Sequence, residues 1–372
     1  MTHTGGPVFT TVAAAERVTA HAYRAVTRPL PRVTPRIADS IEDLIGGTPL
    51  LRLPVADAAP GAQVLAKLES ANPLASIKDR AALFMLRAAI AAGDLAPGGT
   101  VIEATSGNTG IALAALAAAR GYRCQIVLPD NATVERIRLL AALGADVVLT
   151  PAALRYQGAV DKAEELHRQT PGSWFARQHM NPDNVRAHRE TTGPEIWSDT
   201  GGQAGVLVCG VGTGGTLCGA ASYLKARNPA LRAVAVEPAG SPLLSKGYAG
   251  THAIPGLNGG FVADTTDVSL IDEVLTVSDS EALDTATWLA RRAGVLAGIS
   301  SGAAVHGACR VARRPESGGQ TIVVILPDTG ERYLSVFTAP ADAGDAAAGV
   351  AEASVAAAVV AGTSVTAEGG PR

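Results

Sequence analysis

Short apolar runs alternate with helical patterns from Ile41 onward. The runs predict strands at 64–68, 100–103, 124–128, 146–149, 173–176, 205–209, 232–236, 273–277 and 321–326. Segments with apolar positions every three or four residues predict helices at 80–92, 110–121, 133–143, 158–168, 183–199, 216–227, 279–293 and 301–313. Strand–helix alternation at this spacing favours an α/β protein with open, mostly parallel sheets.

The two ends of the chain have a different texture. Residues 1–38 combine an alanine-rich, helix-compatible patch at 12–26 with a proline-punctuated linker at 29–35. From residue 339 the chain is rich in Ala, Gly and Val and has few periodic anchors. We therefore expect an N-terminal extension (1–38) and a poorly ordered tail (339–372). The arginine-rich start leaves an organellar transit peptide open.

Composition excludes several function classes. The chain has 372 residues, of which 47% are hydrophobic and 17% charged, with a net charge of −3. It is too apolar for a disordered protein and has no basic footprint for nucleic acid. Its longest apolar runs fall short of the roughly 20 residues that cross a bilayer. Without a secretory signal pattern or a membrane span, we expect a cytoplasmic protein.

The four cysteines show neither a CxxC pair nor a His–Cys metal spacing. We expect reduced, buried thiols and no metal site. Lysine is scarce, since only five of the 31 basic residues are lysines: Lys67, Lys78, Lys162, Lys225 and Lys246. A lysine inside a motif is therefore worth explaining.

The first unusual strand-to-helix loop is Glu103-Ala-Thr-Ser-Gly-Asn-Thr-Gly110. Its polar side chains and helix N-terminus suit an anionic ligand head such as a carboxylate. The structural alternative is a helix cap by Ser106 or Thr109.

The second such loop is Cys209-Gly-Val-Gly-Thr-Gly-Gly-Thr216. Its glycines let the backbone approach a phosphate, and its threonines add hydroxyls. It lacks both the Lys-Ser/Thr pair of a Walker loop and the acidic residue of a dinucleotide fingerprint. Alone it is a weak signal.

The third loop, Asn72-Pro-Leu-Ala-Ser-Ile-Lys-Asp-Arg80, places Lys78 just before a helix. An accessible, partly desolvated amine there is a candidate for forming a Schiff base with an aldehyde. Taken alone, a solvated surface lysine is the competing interpretation.

These three loops occur together and in order, and on them the sequence resembles the fold type II pyridoxal-phosphate enzymes. The resemblance is specifically to the cysteine synthase (O-acetylserine sulfhydrylase) and cystathionine β-synthase group, from about Ile41 to Phe337. The motifs that carry it are Gly46-Gly-Thr-Pro-Leu50, Ser76-Ile-Lys-Asp-Arg80, Thr105-Ser-Gly-Asn-Thr-Gly110, Thr191-Thr-Gly-Pro-Glu195, Gly212-Thr-Gly-Gly-Thr216, Ala297-Gly-Ile-Ser-Ser-Gly302 and Leu326-Pro-Asp-Thr-Gly-Glu-Arg-Tyr-Leu334.

The resemblance implies a tryptophan synthase β-like fold with two open, mostly parallel sheets flanked by helices. Pyridoxal 5′-phosphate would lie in the cleft between an N-terminal lobe (39–185) and a C-terminal lobe (186–338). A part of the first lobe, about 107–149, would be mobile. A homodimer is also expected.

The resemblance also implies a role for each residue of this chain that matches a family motif. The expected cofactor ligands are Lys78 as the Schiff-base lysine and catalytic base, Asn108 at the 3′-oxygen, Gly212, Thr213, Gly214, Gly215 and Thr216 at the phosphate, and Ser300 at the pyridine nitrogen. The expected ligands of the substrate carboxylate are Thr105, Ser106, Gly107, Thr109 and Gln178. Plain structural roles for Ser300, as a helix N-cap, and for Gln178, as a surface amide, are the alternatives.

The implied reaction is β-replacement on an O-activated L-serine through an α-aminoacrylate intermediate. O-acetylserine plus sulfide giving L-cysteine is the leading expectation. The alternatives are relatives that use O-phosphoserine, homocysteine or an amine, including enzymes of secondary metabolism. Serine/threonine dehydratases share the fold, but their lysine usually follows Ser-Phe. A pseudoenzyme is disfavoured because every catalytic motif is present.

Two departures from the family pattern bear on the second substrate. The chain reads Gln178-His179 where the family often has Gln-Phe, and Ile254-Pro-Gly-Leu-Asn-Gly-Gly-Phe261 where cysteine synthases often have Ile-Gln-Gly-Ile-Gly-Ala-Gly-Phe. We expect Gly256 and Asn258 to lie in a possible nucleophile pocket. His179 is expected to be a solvated or capping residue.

Overall fold

The structure, a computed structural model, describes residues 37–337. The alanine-rich patch at 12–26 and the tail at 339–372 lie outside the described residues. The chain divides into Met1–Asp39 and Ser40–Arg372 by its internal contacts. All described helices and strands belong to the second unit.

Ten strands lie in the described part of the chain. They are β1 (Leu50–Leu53), β2 (Gln63–Leu68), β3 (Thr100–Ala104), β4 (Arg123–Pro129), β5 (Asp146–Thr150), β6 (Ser173–Phe175), β7 (Ala204–Gly210), β8 (Arg232–Pro238), β9 (Glu273–Val277) and β10 (Thr321–Leu326).

The α-helices of the described residues follow the strands in alternation. They are α1 (Lys78–Ala92), α2 (Asn108–Ala119), α3 (Val134–Ala142), α4 (Arg155–Gln169), α5 (Pro182–Ala187), α6 (Gly193–Asp199), α7 (Gly215–Lys225), α8 (Leu243–Lys246), α9 (Asp279–Trp288), α10 (Ile299–Ala312) and α11 (Leu334–Phe337). Short π-helical segments, His188–Thr192 and Leu289–Ala293, continue α5 and α9.

The larger sheet has six strands in the order β1-β2-β10-β7-β8-β9. β1 runs antiparallel to β2, and the other pairs are parallel. Successive residues of β7 belong to opposite cores: Val206 and Val208 pack with the α10 side, and Leu207 and Cys209 pack with the α7 side. Helices cover both faces, which explains why β10 is buried at every position.

The smaller sheet has four parallel strands in the order β5-β4-β3-β6. Its central strand β3 is buried throughout. Val101 packs with α1 and α2 on one face, and Ile102 packs with α4 on the other. The chain therefore has the two-sheet, mostly parallel α/β architecture that the sequence predicts.

All nine predicted strands are confirmed, and the predicted helices are found with ends shifted by a few residues. β1 was not predicted, because a four-residue run in an antiparallel edge position gives little pattern. β1 and β2 precede residue 185 in the chain yet belong to the same sheet as β7–β10. The lobe boundary at 185/186 stays a prediction.

Candidate active site

Loops at the carboxyl ends of parallel strands line one cavity of about 350 Å³. They include the loops after β2, β3, β7 and β10, so both sheets contribute. Ligands of open parallel sheets bind beyond the carboxyl ends of the strands. The fold thus concentrates the unusual loops of the sequence in one place.

The loop after β2 presents Lys78 at the start of α1. Asp79 holds this loop, because its Oδ2 accepts the amide of Leu74 at 2.7 Å and its Oδ1 accepts the hydroxyl of Ser76 at 3.2 Å. The amide of Ile77 donates to the carbonyl of Pro327 at 2.8 Å, which ties the loop to the end of β10. The lysine therefore projects from a rigid support.

Desolvation lowers the pKa of Lys78, and the nearby Asp328 carboxylate opposes that shift. A lowered pKa increases the neutral fraction of an amine, and the neutral amine is the nucleophile in Schiff-base formation. The electrostatics of Lys78 thus fit the chemistry expected of it.

The loop after β3 joins the N-terminus of α2. The amide of Gly107 donates to Thr105 Oγ1 at 3.1 Å, and the hydroxyl of Thr109 donates to Gln178 Oε1 at 2.5 Å. Gln178 is buried, so it is not the surface amide of the alternative interpretation. With its oxygen bound to Thr109, Gln178 keeps its NH₂ group as a donor.

Glu103 lies beneath this loop and is almost fully buried. Desolvation raises the pKa of Glu103 to about 8, although the nearby Gln178 and the neighbouring backbone amides act to lower it. A protonated Glu103 adds no negative charge next to a carboxylate-binding loop. The loop can therefore accept an anion.

The glycine-rich loop after β7 is packed too closely for side chains. A Cβ on Gly214, at φ +77°, would stand 2.2 Å from Thr266 Oγ1. A Cβ on Gly212 would stand 2.3 Å from the carbonyl oxygen of Gly256. The loop ends at the N-terminus of α7, where free amides favour an anion.

The hydroxyls of Thr213 and Thr216 in this loop contact side chains from another part of the chain. Thr213 Oγ1 accepts a hydrogen bond from Asn184 at 3.1 Å, and Thr216 Oγ1 lies 3.3 Å from Nε2 of His188. Complete burial lowers the pKa of His188 well below its ordinary value. His188 is therefore a neutral support for Thr216.

Ser300 lies in the first turn of α10 and lines the cavity. The N-cap of that helix is Gly298, so Ser300 does not cap it. A Cβ on Gly298 would stand 2.1 Å from Asp328 Oδ1, which explains why the position is a glycine.

The structure brings together every site residue predicted from the sequence except two. Gly215 does not line the cavity; its amide donates to Thr213 Oγ1 at 3.4 Å. Asn258 also lies outside the lining. Its side chain donates to the carbonyl of Ser241 at 2.6 Å and accepts the amide of Gly260 at 2.9 Å.

Several further residues line the cavity without having been predicted as site residues, among them Arg136, Tyr156, His179 and Asp328. The expectation that His179 is solvated or a cap is wrong. Its Nδ1 lies 2.8 Å from the Tyr156 hydroxyl, and desolvation, with the charge of Lys78, lowers its pKa to about 4. Asp328 could have been predicted from the sequence, because it is a carboxylate just after the buried strand β10.

The model of the pyridoxal-phosphate dependent enzyme family matches residues 41–328. Cysteine synthase A of Escherichia coli is 45% identical over 300 residues, covering 78% of this chain and 92% of that protein. A solved cysteine synthase of Entamoeba histolytica has a TM-score of 0.79 and 39% identity, with 82% of this chain and 91% of that one covered. A solved O-ureido-L-serine synthase has a TM-score of 0.78 and 43% identity, with 83% and 98% covered.

The fold and the site define a pyridoxal-phosphate-dependent enzyme of fold type II. The chain belongs to this family, within the cysteine synthase group.

The residues present fit the cofactor. Pyridoxal phosphate requires an amine for its aldehyde and a cradle of backbone amides for its phosphate. Lys78 supplies the amine, and the backbone amides of the loop at Gly212 and Gly214, which lines the cavity, supply the cradle. Within the described residues, no helix is long and apolar enough to span a membrane.

Proposed function

We propose that this protein makes L-cysteine from O-acetyl-L-serine and sulfide by replacing the β-substituent of the amino acid. The relatives named cysteine synthase support this assignment, among them the Escherichia coli protein at 45% identity over 300 residues. The arrangement of the cavity supports it independently.

The proposed cofactor ligands are those expected from the sequence. Lys78 binds the aldehyde carbon, Asn108 the ring hydroxyl, Ser300 the pyridine nitrogen, and the loop of Gly212, Thr213, Gly214, Gly215 and Thr216 the phosphate. When bound, pyridoxal phosphate supplies an electron sink for the pair left on the α-carbon. Ser300 would offer the pyridine nitrogen a neutral hydroxyl in place of a carboxylate, and a ring nitrogen left largely unprotonated would favour expulsion of a β-leaving group over long-lived carbanion chemistry.

The proposed substrate ligands lie on the other wall of the cavity. Thr105, Ser106 and Thr109, with the amides around Gly107, hold the α-carboxylate, and Gln178 adds its NH₂ donor. Lys78 Nζ accepts the α-proton and holds it there until the product is formed. Its lowered pKa makes the neutral amine accessible for that step.

One observation carries the proposal: a lysine with a lowered pKa faces the carboxylate loop across a single cavity. A pseudoenzyme needs no such pairing with a phosphate cradle at Gly212–Thr216, and serine/threonine dehydratases, which share the fold, usually have Phe where this chain has Ile77. The pairing suits an α-amino acid held by its carboxylate while its α-proton is removed.

The test uses the full chain loaded with pyridoxal phosphate. We expect L-cysteine from O-acetyl-L-serine and sulfide, and we expect borohydride reduction followed by peptide mapping to place the cofactor on Lys78. Lys78→Ala should lose both the label and turnover. Lys162→Ala is the matched control, because Lys162 forms a surface pair with Glu165 at 2.9 Å. A labelled, active Lys78→Ala protein overturns the assignment.

A second candidate is a paralogue with another leaving group or nucleophile, such as O-phosphoserine, homocysteine or an amine. The polar Tyr156–His179 pair in the cavity favours it, as does the likeness to O-ureido-L-serine synthase. A panel of nucleophiles at fixed O-acetyl-L-serine distinguishes the two candidates by their kcat/KM values.

We also propose a cytoplasmic homodimer in which the segment 107–149 closes over the substrate. Free thiols at all four cysteines support a reducing compartment. The separate small sheet supports movement of that segment. Light scattering tests the dimer, and hydrogen exchange in the presence and absence of O-acetyl-L-serine tests the closure.

A further inference from the structure

Three aromatic rings form a cluster, and two of them, Tyr156 and His179, line the active-site cavity. The His179 ring meets Tyr156 edge-on at 5.2 Å between centroids and Phe261 edge-on at 5.1 Å. Tyr156 and Phe261 stack on each other at 5.8 Å. The carbonyl of His179 accepts the amide of Thr265 at 3.2 Å. Side chain and backbone of His179 are therefore both held in place.

The hydrogen bond between Tyr156 and His179 determines the tautomer of the imidazole. Nδ1 of His179 is the one hydrogen-bond partner of the Tyr156 hydroxyl in the described part of the chain. Desolvation raises the pKa of Tyr156, so the phenol keeps its proton. The phenol of the partly buried Tyr156 donates its proton most favourably to an acceptor, and Nδ1 of His179 is the protein acceptor within reach among the described residues. Nδ1 then carries no hydrogen, and the hydrogen of the neutral imidazole resides on Nε2.

Nε2 of His179 has no hydrogen-bond partner among the described residues. It is also not among the buried polar atoms that lack a partner, so it remains accessible from the cavity. His179 lines the cavity beside Gln178, which is itself bound to the carboxylate loop through Thr109. An N–H donor thus remains available next to the place where the amino acid is held.

We propose that His179 is a specificity-determining residue whose Nε2–H donates a hydrogen bond to an acceptor oxygen of the substrate's β-substituent. This inference rests on the proposed function. An acyl or ureido group has a carbonyl acceptor, whereas sulfide and halide have no oxygen. Tyr156 is the positioning residue that fixes the ring and its tautomer.

The uncharged state of the imidazole suits this role. Desolvation together with the charge of Lys78 lowers the pKa of His179 to about 4. The ring therefore stays neutral at physiological pH. A neutral donor recognises a carbonyl without attracting every anion in the cavity.

The experiment compares two amino acids that differ in the β-substituent, O-acetyl-L-serine and β-chloro-L-alanine, each with sulfide and the holoenzyme. His179→Phe should lower kcat/KM for O-acetyl-L-serine roughly tenfold, chiefly through KM, as one lost hydrogen bond predicts. The same variant should keep kcat/KM for β-chloro-L-alanine within about twofold of the wild-type value. His179→Gln, which keeps an N–H donor, should recover part of the loss. For Tyr156→Phe, kcat/KM for O-acetyl-L-serine should lie between the values of the wild type and of His179→Phe.

Equal losses for both amino acids indicate a structural role and overturn the inference, as does an unchanged O-acetyl-L-serine value. Nitrogen-15 NMR of the His179 ring gives a readout that does not depend on turnover. A hydrogen on Nε2 supports the inference, and a hydrogen on Nδ1 overturns it. If the wild type processes neither amino acid, the proposed function fails, while the NMR result still decides the tautomer on which His179 depends.

Discussion

The side-chain amide of Asn108 donates to Oδ2 of Asp328 at 2.8 Å, across 220 residues of sequence. The hydroxyl of Tyr333 donates to the same oxygen at 2.6 Å. Desolvation raises the pKa of Asp328, against these hydrogen bonds and the nearby arginines. One buried carboxyl group therefore fixes the start of α2, on the smaller sheet, against the end of β10, on the larger sheet.

We predict that Asp328→Asn weakens binding of pyridoxal phosphate roughly tenfold, because Asn108 loses the hydrogen bond to the carboxyl group that orients it. Equilibrium dialysis of the cofactor measures the change. Asp94→Asn, at an exposed position, is the control and should leave cofactor affinity unchanged. Equal affinities for Asp328→Asn and the wild type would show that Asp328 does not position Asn108.

The sequence predicted most of the site because the strand-to-helix loops carry local signals. Lys78, Ser106 and Thr213 follow directly from loop composition and from the resemblance. Asp328 required knowledge of which strand ends are neighbours in space, since Asn108 is remote along the chain. No local pattern marks Tyr156, which lies in the first turn of α4, before the start of the predicted helix at residue 158, and lines the cavity only through tertiary packing.

A buried ionic cluster is a second feature that local sequence patterns could not predict. Lys67 and Arg80 look like surface charges in the sequence, but both side chains are fully buried. Arg80 contacts Glu69 at 2.8 Å and Glu195 at 2.6 Å, and Lys67 contacts Glu195 at 2.9 Å. The family motifs that contain Arg80 and Glu195 thus meet in space, where they join α1 to α6. Periodicity cannot reveal pairing between remote charges.

Replacing Gln178 by Glu tests the carboxylate loop. The added negative charge would face the α-carboxylate of the substrate, and a like-charge contact costs enough to lower kcat/KM for O-acetyl-L-serine by roughly 100-fold. KM should carry most of the change, and cofactor loading should be retained. Steady-state kinetics at saturating sulfide measures it.

Gln157→Glu is the matched control for that variant. Gln157 is exposed on α4 and hydrogen-bonds Asp161 at 2.8 Å, away from the cavity. Gln157→Glu should leave kcat/KM and KM for O-acetyl-L-serine near their wild-type values. If Gln178→Glu binds the amino acid as well as the control does, Gln178 does not contact the carboxylate.

Gly214→Ala tests the phosphate cradle. The new Cβ would stand 2.2 Å from Thr266 Oγ1, so the loop must shift and cofactor affinity should fall by at least roughly tenfold. Gly247 is a matched control because its φ is also +77° but a Cβ there meets nothing within 4 Å. Gly247→Ala should cost about 1 kcal/mol of folding free energy and keep the cofactor. Equal cofactor affinities for the two variants would contradict the cradle assignment.

Acid should weaken the fold through Glu195. Desolvation raises its pKa, but the hydrogen bonds and charge of Arg80, with Lys67, outweigh that effect and lower it to about 2, from an ordinary value of 4.5. A lowered folded-state pKa stabilises the protein above the ordinary value, and that stability is lost as pH falls toward 2. The difference corresponds to about 3 kcal/mol at most.

We therefore predict that Glu195→Gln reduces the loss of unfolding free energy between pH 5 and about 2.5, measured by urea titration at each pH. The variant should be less stable than the wild type at pH 7, because Arg80 and Lys67 keep their charges but lose a partner. Glu316→Gln, at an exposed position, should follow the wild-type curve. Parallel curves for Glu195→Gln and the wild type across this pH range would show that another carboxylate governs the acid sensitivity.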